Sequence, residues 1–515
     1  MWVYPEIRTL GDLPSYYARR RPEALALMFE GRGTSWVELE SKSARFAAFL
    51  AAEGIGGGDC VAYLGKNSDD FFIAMFGTAK AGAAFLPLNW RLAAPEIDEV
   101  LVDAKPCLIV FEEDLAALLP PVAPGSCAIP IGEDRRIDTY QVEGGHERPL
   151  PRVSEDDVAI LLYTSGTTGQ PKGVLLTHGG ANRMRLCEHL EPAFQWEDDD
   201  SFLFNLPNFH LLGIGLSLQC LYNGLKLFIQ RRFDPAAALA ALGIARPTLL
   251  VLTPVMIQML LDHPDAAKAD FSSVRLTMYA GSPISLGLIK RAIAVMPCRF
   301  MQFYGATESA GALSLLRPEE HDLSDESKLK SCGRPLPLVE FRIVDLSGRE
   351  MPVGEPGELL VRSPAIAAGY LNKPEATAAV FRQGWYATGD VAYRDEAGLY
   401  YIVDRVKDMI ITGGENVYSA EVEHALSTHP AVSATAVIGV PDERWGEAIK
   451  AVVVLKEGAS ADVQELTHHC RSRLAGYKVP KSFDIVAELP CTSTGKIAKR
   501  ELRAKYWSQQ QRSIA

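Results

Sequence analysis

A chain of 515 residues exceeds what one hydrophobic core organises, so more than one domain is expected. Apolar content of 48% with 23% charged residues is a globular balance, and a net charge of −12 excludes a nucleic-acid-binding surface while leaving room for a local cationic cradle. The nine cysteines are dispersed without paired spacing, which excludes a disulfide framework and points to reduced thiols.

Residues 1–22 carry charges throughout and hold no apolar core of a signal peptide, and no run reaches membrane-spanning length. A cytoplasmic location is therefore expected. From residue 9 to 111, helical periodicity alternates with short apolar runs: helices at 36–53 and 71–80, strands at 61–64, 84–88 and 107–111. Such alternation predicts a mostly parallel α/β sheet. The apolar run 158–162 opens into Tyr163-Thr164-Ser165-Gly166-Thr167-Thr168-Gly169-Gln170-Pro171-Lys172-Gly173. Glycine-freed N–H groups, hydroxyls and one ammonium make an anion cradle, and a polyphosphate is its natural guest. It is not a Walker loop, because Pro171 stands where that motif needs glycine.

The strand–helix theme returns with strands at 225–229, 248–252, 276–279 and 300–303. The last runs into Gln302-Phe303-Tyr304-Gly305-Ala306-Thr307-Glu308. At the carboxyl end of a parallel strand such groups face a ligand crevice. Tyr304 can stack on a flat base, Thr307 can donate to phosphate, and Glu308 can hold Mg²⁺. Residues 340–401 are turn-rich and predict antiparallel strands; within them Tyr386-Ala387-Thr388-Gly389-Asp390 places a carboxylate behind a glycine turn, suited to a ribose diol. Asp404-Arg405-Val406-Lys407-Asp408, followed by Gly413-Gly414-Glu415-Asn416, reads as a charged joint and a backbone-exposing loop. A compact α+β pattern follows: helix 419–427, strands 432–440 and 448–455, helix 461–474, strand 483–486, helix 497–506. Thr494-Gly495-Lys496 presents one lysine on a turn. Taken singly, each element also reads as a capped turn, a solvated linker or a surface charge.

In this order and spacing the five elements resemble the adenylate-forming superfamily of acyl- and aryl-CoA synthetases, firefly luciferases and non-ribosomal adenylation domains, from Leu10 to Tyr506. The stretch from Asp404 to Tyr418 is most similar to bacterial fatty acyl- and aryl-CoA ligases. The resemblance implies an α/β fold: a large N-terminal adenylation domain, residues 1–406, of mixed, mostly parallel sheets with helices plus a small antiparallel part, and a small mobile α+β C-terminal domain, residues 407–515. It implies that Thr164, Ser165, Gly166, Thr167, Thr168, Gly169 and Lys172 cradle the β- and γ-phosphates of ATP. Thr307 would touch the α-phosphate and Glu308 the Mg²⁺. Gly281, Ser282 and Pro283 with Gln302, Phe303 and Tyr304 would sandwich adenine. Asp390 would hold the ribose, with Arg405 nearby, and Lys496 would reach the carboxylate and α-phosphate. Lys407 matches the hinge, His210 the aromatic gate of the thiol tunnel, and Gly413, Gly414 and Trp445 the coenzyme A side. Where Asn208 stands the family usually has an apolar residue.

The implied reaction joins carboxylate to the α-phosphorus of ATP, releases pyrophosphate, and then passes the acyl group from AMP to the thiol of coenzyme A. No cysteine nucleophile is needed, and none lies in the matched motifs. Two alternatives share the first half: loading of a carrier protein, and a luciferase-like oxygenase. A non-catalytic adenylate-binding protein would not require Lys496. Substrates are small molecules; a homodimer is the protein partner considered, with no nucleic acid and no integral membrane segment. For the acid, the absence of Lys, Arg or Asp around 209–215, 255–259, 281 and 304–311 disfavours a second charge. Small residues at Gly305, Ala306, Ala310, Gly311 and Ala312 favour a medium- to long-chain fatty acid; the alternative is an aryl or aryl-alkenyl acid of benzoate, coumarate or ferulate type.

Overall fold

A computed structural model describes residues 3–121, 126–133, 135–140, 149–164, 171–345, 347–413, 415–442, 444–491 and 497–507. The chain divides into two compact units, Met1–Phe341 with Val361–Tyr386 and Arg342–Leu360 with Ala387–Ala515. It passes from one to the other inside strands Glu340–Val344, Gly357–Arg362 and Trp385–Arg394.

The first unit carries two large sheets. The six-stranded one runs Cys127–Ile131, Leu108–Glu112, Cys60–Leu64, Ala84–Pro87, Val158–Thr164, Lys172–Thr177. Its strands are parallel except the last, which returns antiparallel along Val158–Thr164. The nine-stranded sheet has a parallel centre of Arg299–Ala306, Leu276–Tyr279, Leu249–Leu252, Ser201–Phe204, Lys226–Ile229 and Leu25–Phe29, with antiparallel strands at both edges. Helix Asp69–Ala81 is buried at every position but Lys80 and packs on strands of both sheets. Its sequence, Asp-Asp-Phe-Phe-Ile-Ala-Met-Phe, is apolar all round after its first turn, as an interior helix must be. The Ser68 hydroxyl accepts from the Phe71 N–H at 3.3 Å to start it, and Gly82 at φ 78° ends it. Buried helix Leu211–Tyr222 packs against Ser201–Phe204 and Lys226–Ile229.

In the second unit the long hairpin Val432–Asp442 and Gly446–Leu455 carries Ile410–Thr412 on its second strand, with Glu415–Val417 beyond it, and Ser482–Ile485 joins parallel. One core gathers Val422, Leu426, Leu466 and Cys470 from helices Ser419–Ser427 and Val463–Arg471 against Val437, Ile449 and Val453. On the other side Leu502, from helix Lys499–Ala504, packs with Ala436, Ile438 and Val452.

The fold is mixed α/β with antiparallel sheets toward the C-terminal part, the class expected from the alternation of runs. Among the described residues no helix is long and apolar enough to cross a membrane.

Candidate active site

The phosphate-cradle motif sits on the edge hairpin of the six-stranded sheet. Thr164 and Lys172 face each other in register across it. Ser165, Gly166, Thr167, Thr168 and Gly169 lie outside the described residues, as do Gly414 and Lys496. A second segment is laid along the returning strand. The Leu371 N–H donates to the Gly173 carbonyl at 2.8 Å, the Leu175 N–H to the Gly369 carbonyl at 3.0 Å, and the Ala368 N–H to the Leu175 carbonyl at 2.9 Å. That ladder puts Tyr370 beside Lys172, whose Nζ stands 5.2 Å from the ring centroid.

Thr307 and Glu308 project from a short turn after strand Arg299–Ala306. Ser309 locks it: its hydroxyl donates to the carbonyls of Ala306 at 2.7 Å and Gly311 at 2.8 Å, and accepts from the Ala306 N–H. The Ala367 N–H donates to the Glu308 carbonyl at 2.8 Å, and the Tyr370 hydroxyl donates to Glu308 Oε1 at 2.8 Å. Burial first, and the adjacent carboxylate second, push the Tyr370 phenol far above its ordinary value, so it remains a donor. Thr164, Lys172, Thr307 and Glu308, distant in sequence, are thereby joined through Tyr370. Nothing in the local sequence at 367–371 announced that residue. Among the described residues no group of three or more His, Cys, Asp or Glu side chains is built to hold a metal. One carboxylate and a hydroxyl beside a phosphate cradle are hard oxygen donors of the kind Mg²⁺ takes when phosphates supply the rest.

Gly281, Ser282 and Pro283 follow strand Leu276–Tyr279, whose Tyr279 pairs with Gln302 on the neighbouring parallel strand. Both groups therefore stand at carboxyl ends of adjacent strands. Gly281 has φ 94°, a conformation that favours glycine. The Gln302 side-chain oxygen is buried without a partner, an acceptor that fits the amino group of a flat base. The Phe303 ring lies apart from these groups. Strand alternation turns its ring to the opposite face, where it stacks on Phe194 at 5.5 Å and 6°. Tyr304 packs edge-on to Phe341 at 6.5 Å.

His210 caps helix Leu211–Tyr222, its Nδ1 accepting from the Leu212 N–H at 3.2 Å, so the cap fixes its ring. Asn208 is buried; its side-chain amide donates to the Gly65 carbonyl at 3.0 Å and its backbone N–H donates to Asn67, while its side-chain oxygen has no partner. Beside it, Phe209 meets Trp90 edge-on, and the Arg91 guanidinium lies 5.8 Å from the Phe209 ring and 5.1 Å from that of Trp90. Arg91, absent from the sequence-based set, adds a cation over the Phe209 ring.

Two of the small residues after Tyr304, Gly305 and Gly311, have close neighbours where a side chain would stand. A Cβ on Gly305 would fall 2.3 Å from the Gly311 carbonyl oxygen, and one on Gly311 would fall 2.7 Å from the Met184 side chain. Their smallness serves close approach of backbone to backbone and to Met184. The Cβ position of Gly281 instead faces Thr253 and Leu212 at contact distance. The absence of a charge in the local stretches is also only local: buried Arg185 donates to the Gly215 carbonyl at 2.6 Å and pairs with Glu188 at 2.6 Å.

In the second unit Asp390 and Arg405 face each other across paired strands, with Arg405 Nε 2.5 Å from the buried Asp390 carboxylate. Gly389, at φ 70°, accepts from the Val406 N–H at 2.9 Å. Lys407 is exposed, though the groups around it partly desolvate its ammonium and lower its pKa, and its carbonyl accepts from Arg503 at 3.5 Å. Arg503 also pairs with Asp408 at 2.6 Å. Gly413 and Trp445 come together: the Gly413 N–H donates to the Trp445 carbonyl at 2.9 Å, and a Cβ there would lie 2.8 Å from the indole. The indole is 39% exposed under the Arg444 guanidinium at 4.6 Å, a surface platform and not core packing.

The sequence model of AMP-binding enzymes matches residues 15–371, and that of the AMP-binding enzyme C-terminal domain matches residues 421–496. The chain belongs to the AMP-binding enzyme family. Members of this adenylate-forming family similar to it include a feruloyl-CoA synthase of Amycolatopsis sp, 41% identical over 96% of this chain and 99% of that protein. A fatty acid–[acyl-carrier-protein] ligase of Streptomyces coeruleorubidus is 36% identical over 99% of both. The solved o-succinylbenzoate coenzyme A synthetase of Bacillus subtilis with ATP and magnesium superposes with a TM-score of 0.82 at 29% identity, covering 96% of this chain and 98% of that one. This AMP-binding enzyme is an acid–thiol ligase of the AMP-forming type.

Proposed function

We propose that the enzyme activates an aryl or aryl-alkenyl carboxylic acid with ATP and transfers it to coenzyme A in the cytoplasm. The carboxylate oxygen attacks the α-phosphorus, a P–O bond forms and pyrophosphate leaves. The coenzyme A sulfur then bonds to the acyl carbon, its proton is lost and AMP departs. Two anions must meet in the first half, so cations carry it. Thr164, Lys172 and the glycine–hydroxyl loop hold the polyphosphate, Thr307 donates to the α-phosphate, Gln302, Tyr304 and Gly281–Pro283 take adenine, and Asp390 with Arg405 takes the ribose. Glu308 would hold Mg²⁺, which supplies positive charge against the phosphate oxygens. Lys496 serves the first half alone. Residues 407–515 turn about Lys407 between halves, bringing Gly413, Gly414 and Trp445 to the thiol route gated by His210.

The acid assignment rests on one observation: Gly305, Gly311 and Met184 are in close contact, which favours a compact acid over a long chain on that side. The 41% identity to a feruloyl-CoA synthase supports the same reading. The 36% identity to a fatty acid–[acyl-carrier-protein] ligase favours the second, a fatty acid passed to coenzyme A or a carrier protein. Pyrophosphate release with butyrate to palmitate beside benzoate, coumarate and ferulate, each with and without coenzyme A, separates them. One aryl acid at least tenfold better than any aliphatic one is expected. A kcat/KM that climbs a few-fold per methylene, as roughly 0.8 kcal/mol per buried CH₂ dictates, would install the fatty acid instead.

A further inference from the structure

Tyr370 is held from three sides before any ligand arrives. Its flanking peptide groups are bonded to Gly173 and Leu175 on the sheet edge. Its own N–H donates to the Thr377 hydroxyl at 2.9 Å. The neighbouring Ala367 N–H is bonded to the Glu308 carbonyl. The ring is 8% exposed, so its position is set by packing and not by solvent. From that fixed point one face reaches the Lys172 ammonium at 5.2 Å, and the hydroxyl reaches Glu308 Oε1 at 2.8 Å. A phenol has few rotamers and presents a donor and a cation-attracting face together. Phenylalanine would keep the face and lose the donor. Leucine would lose both.

We propose that Tyr370 is a positioning residue for the adenylation site, holding the Glu308 carboxylate by one oxygen so that the other meets the metal, and holding Lys172 over its ring for the phosphates. The proposal rests on the reading of Glu308 as the Mg²⁺ ligand. Carboxylates that bind metals are themselves hydrogen-bonded, and losing such a partner weakens metal affinity by about 10- to 100-fold. The Tyr370–Glu308 bond has that form, and it is made across 62 positions of sequence.

The test uses the full-length enzyme, Mn²⁺ as the metal probe and a non-hydrolysable α,β-methylene ATP analogue, with bound Mn²⁺ read by electron paramagnetic resonance. Tyr370→Phe should weaken Mn²⁺ binding in the analogue complex by about 10-fold or more, leave binding of the metal-free analogue unchanged, and leave KM for the acid unchanged while kcat for adenylation falls. Tyr370→Leu should weaken metal-free analogue binding as well. Unchanged or tighter Mn²⁺ binding in Tyr370→Phe, while Glu308→Gln loses it, overturns the positioning role and spares the Glu308 reading. Unchanged binding in Glu308→Gln overturns both. Should Tyr370→Phe fail to fold by circular dichroism, 3-fluorotyrosine at 370 keeps the shape and strengthens the donor; an unaltered Mn²⁺ affinity there refutes the proposal equally.

Discussion

The two compact units hold their proposed functional residues by different physics. In the first, Thr164, Lys172, Tyr370 and Glu308 are fixed by backbone ladders on the sheet edge and by a serine-locked turn. In the second, ion pairs are added to the ladder. Arg405 faces Asp390, Arg503 faces Asp408 and Lys499 faces Glu423, while the Asp404 carboxylate accepts from the N–H and hydroxyl of Ser419. A ladder cannot be traded for another without moving a strand. These pairs are largely buried, so leaving one partner unpaired is costly, but a charge that passes from one partner to another stays paired throughout. A constellation that must stay preorganised through two reactions belongs on the first kind of support, and a joint that must reset belongs on the second.

The sharpest break of that contrast is Lys496→Ala. If the second unit contributes Lys496 to adenylation only, pyrophosphate release should fall on the order of 100-fold or more, as loss of a charge on a developing oxyanion dictates. Thioester formation from supplied acyl-adenylate should be largely intact. Acetylation of that lysine should do the same, because it deletes the charge. Equal loss in both half-reactions would show that the lysine does not change places.

Lys407→Pro comes next. Proline fixes φ and removes a donor at the proposed hinge. Adenylation should survive and thioester formation should drop at least about 10-fold, the scale of misplacing a reacting group. Parallel loss of both rates in a folded protein would place the joint elsewhere. Arg503, which binds both the Lys407 carbonyl and Asp408, is then the group to relieve.

Trp445→Ala should raise KM for coenzyme A by about 10-fold, since stacking of a base on an aromatic ring contributes about 1–3 kcal/mol. The acid-dependent exchange of pyrophosphate should not change. An unmoved KM would make the indole no more than a cover for Gly413.

Legibility in the sequence followed the same divide. Some elements were plain, because the apolar run Leu276–Tyr279 and the apolar spacing of Val422, Ala425 and Leu426 in Ser419–Ser427 carry their own period. The partition into two sheets was not: Leu25–Phe29 pairs on one side with its neighbour Arg32–Ser35 and on the other with the distant Lys226–Ile229, and no local pattern encodes that second choice. Charged and glycine-rich motifs marked both proposed sites. Tyr370 and Arg91 stayed hidden, because one sits on an ordinary extended edge and the other in a loop, and only tertiary pairing gives them partners. The ring of Phe303 shows the same limit, since a motif names residues without saying which face of the strand each one takes.

Met184 tests how rigid the first unit's site is. It is buried on helix His178–His189, with its side chain against Gly311. Met184→Ala should remove that contact and lower stability by about 2–5 kcal/mol, the usual cost of Met to Ala in a core. If the ladder-held walls stay put, the space freed becomes usable by substrate. Specificity should then shift a few-fold per added methylene toward longer aliphatic acids, at roughly 0.8 kcal/mol each, while the best aryl acid loses ground because its slot has widened. A stable variant with unchanged chain-length and aryl preferences would mean that the acid lies on the Leu212 and Thr253 side of Gly281 and never approaches Met184.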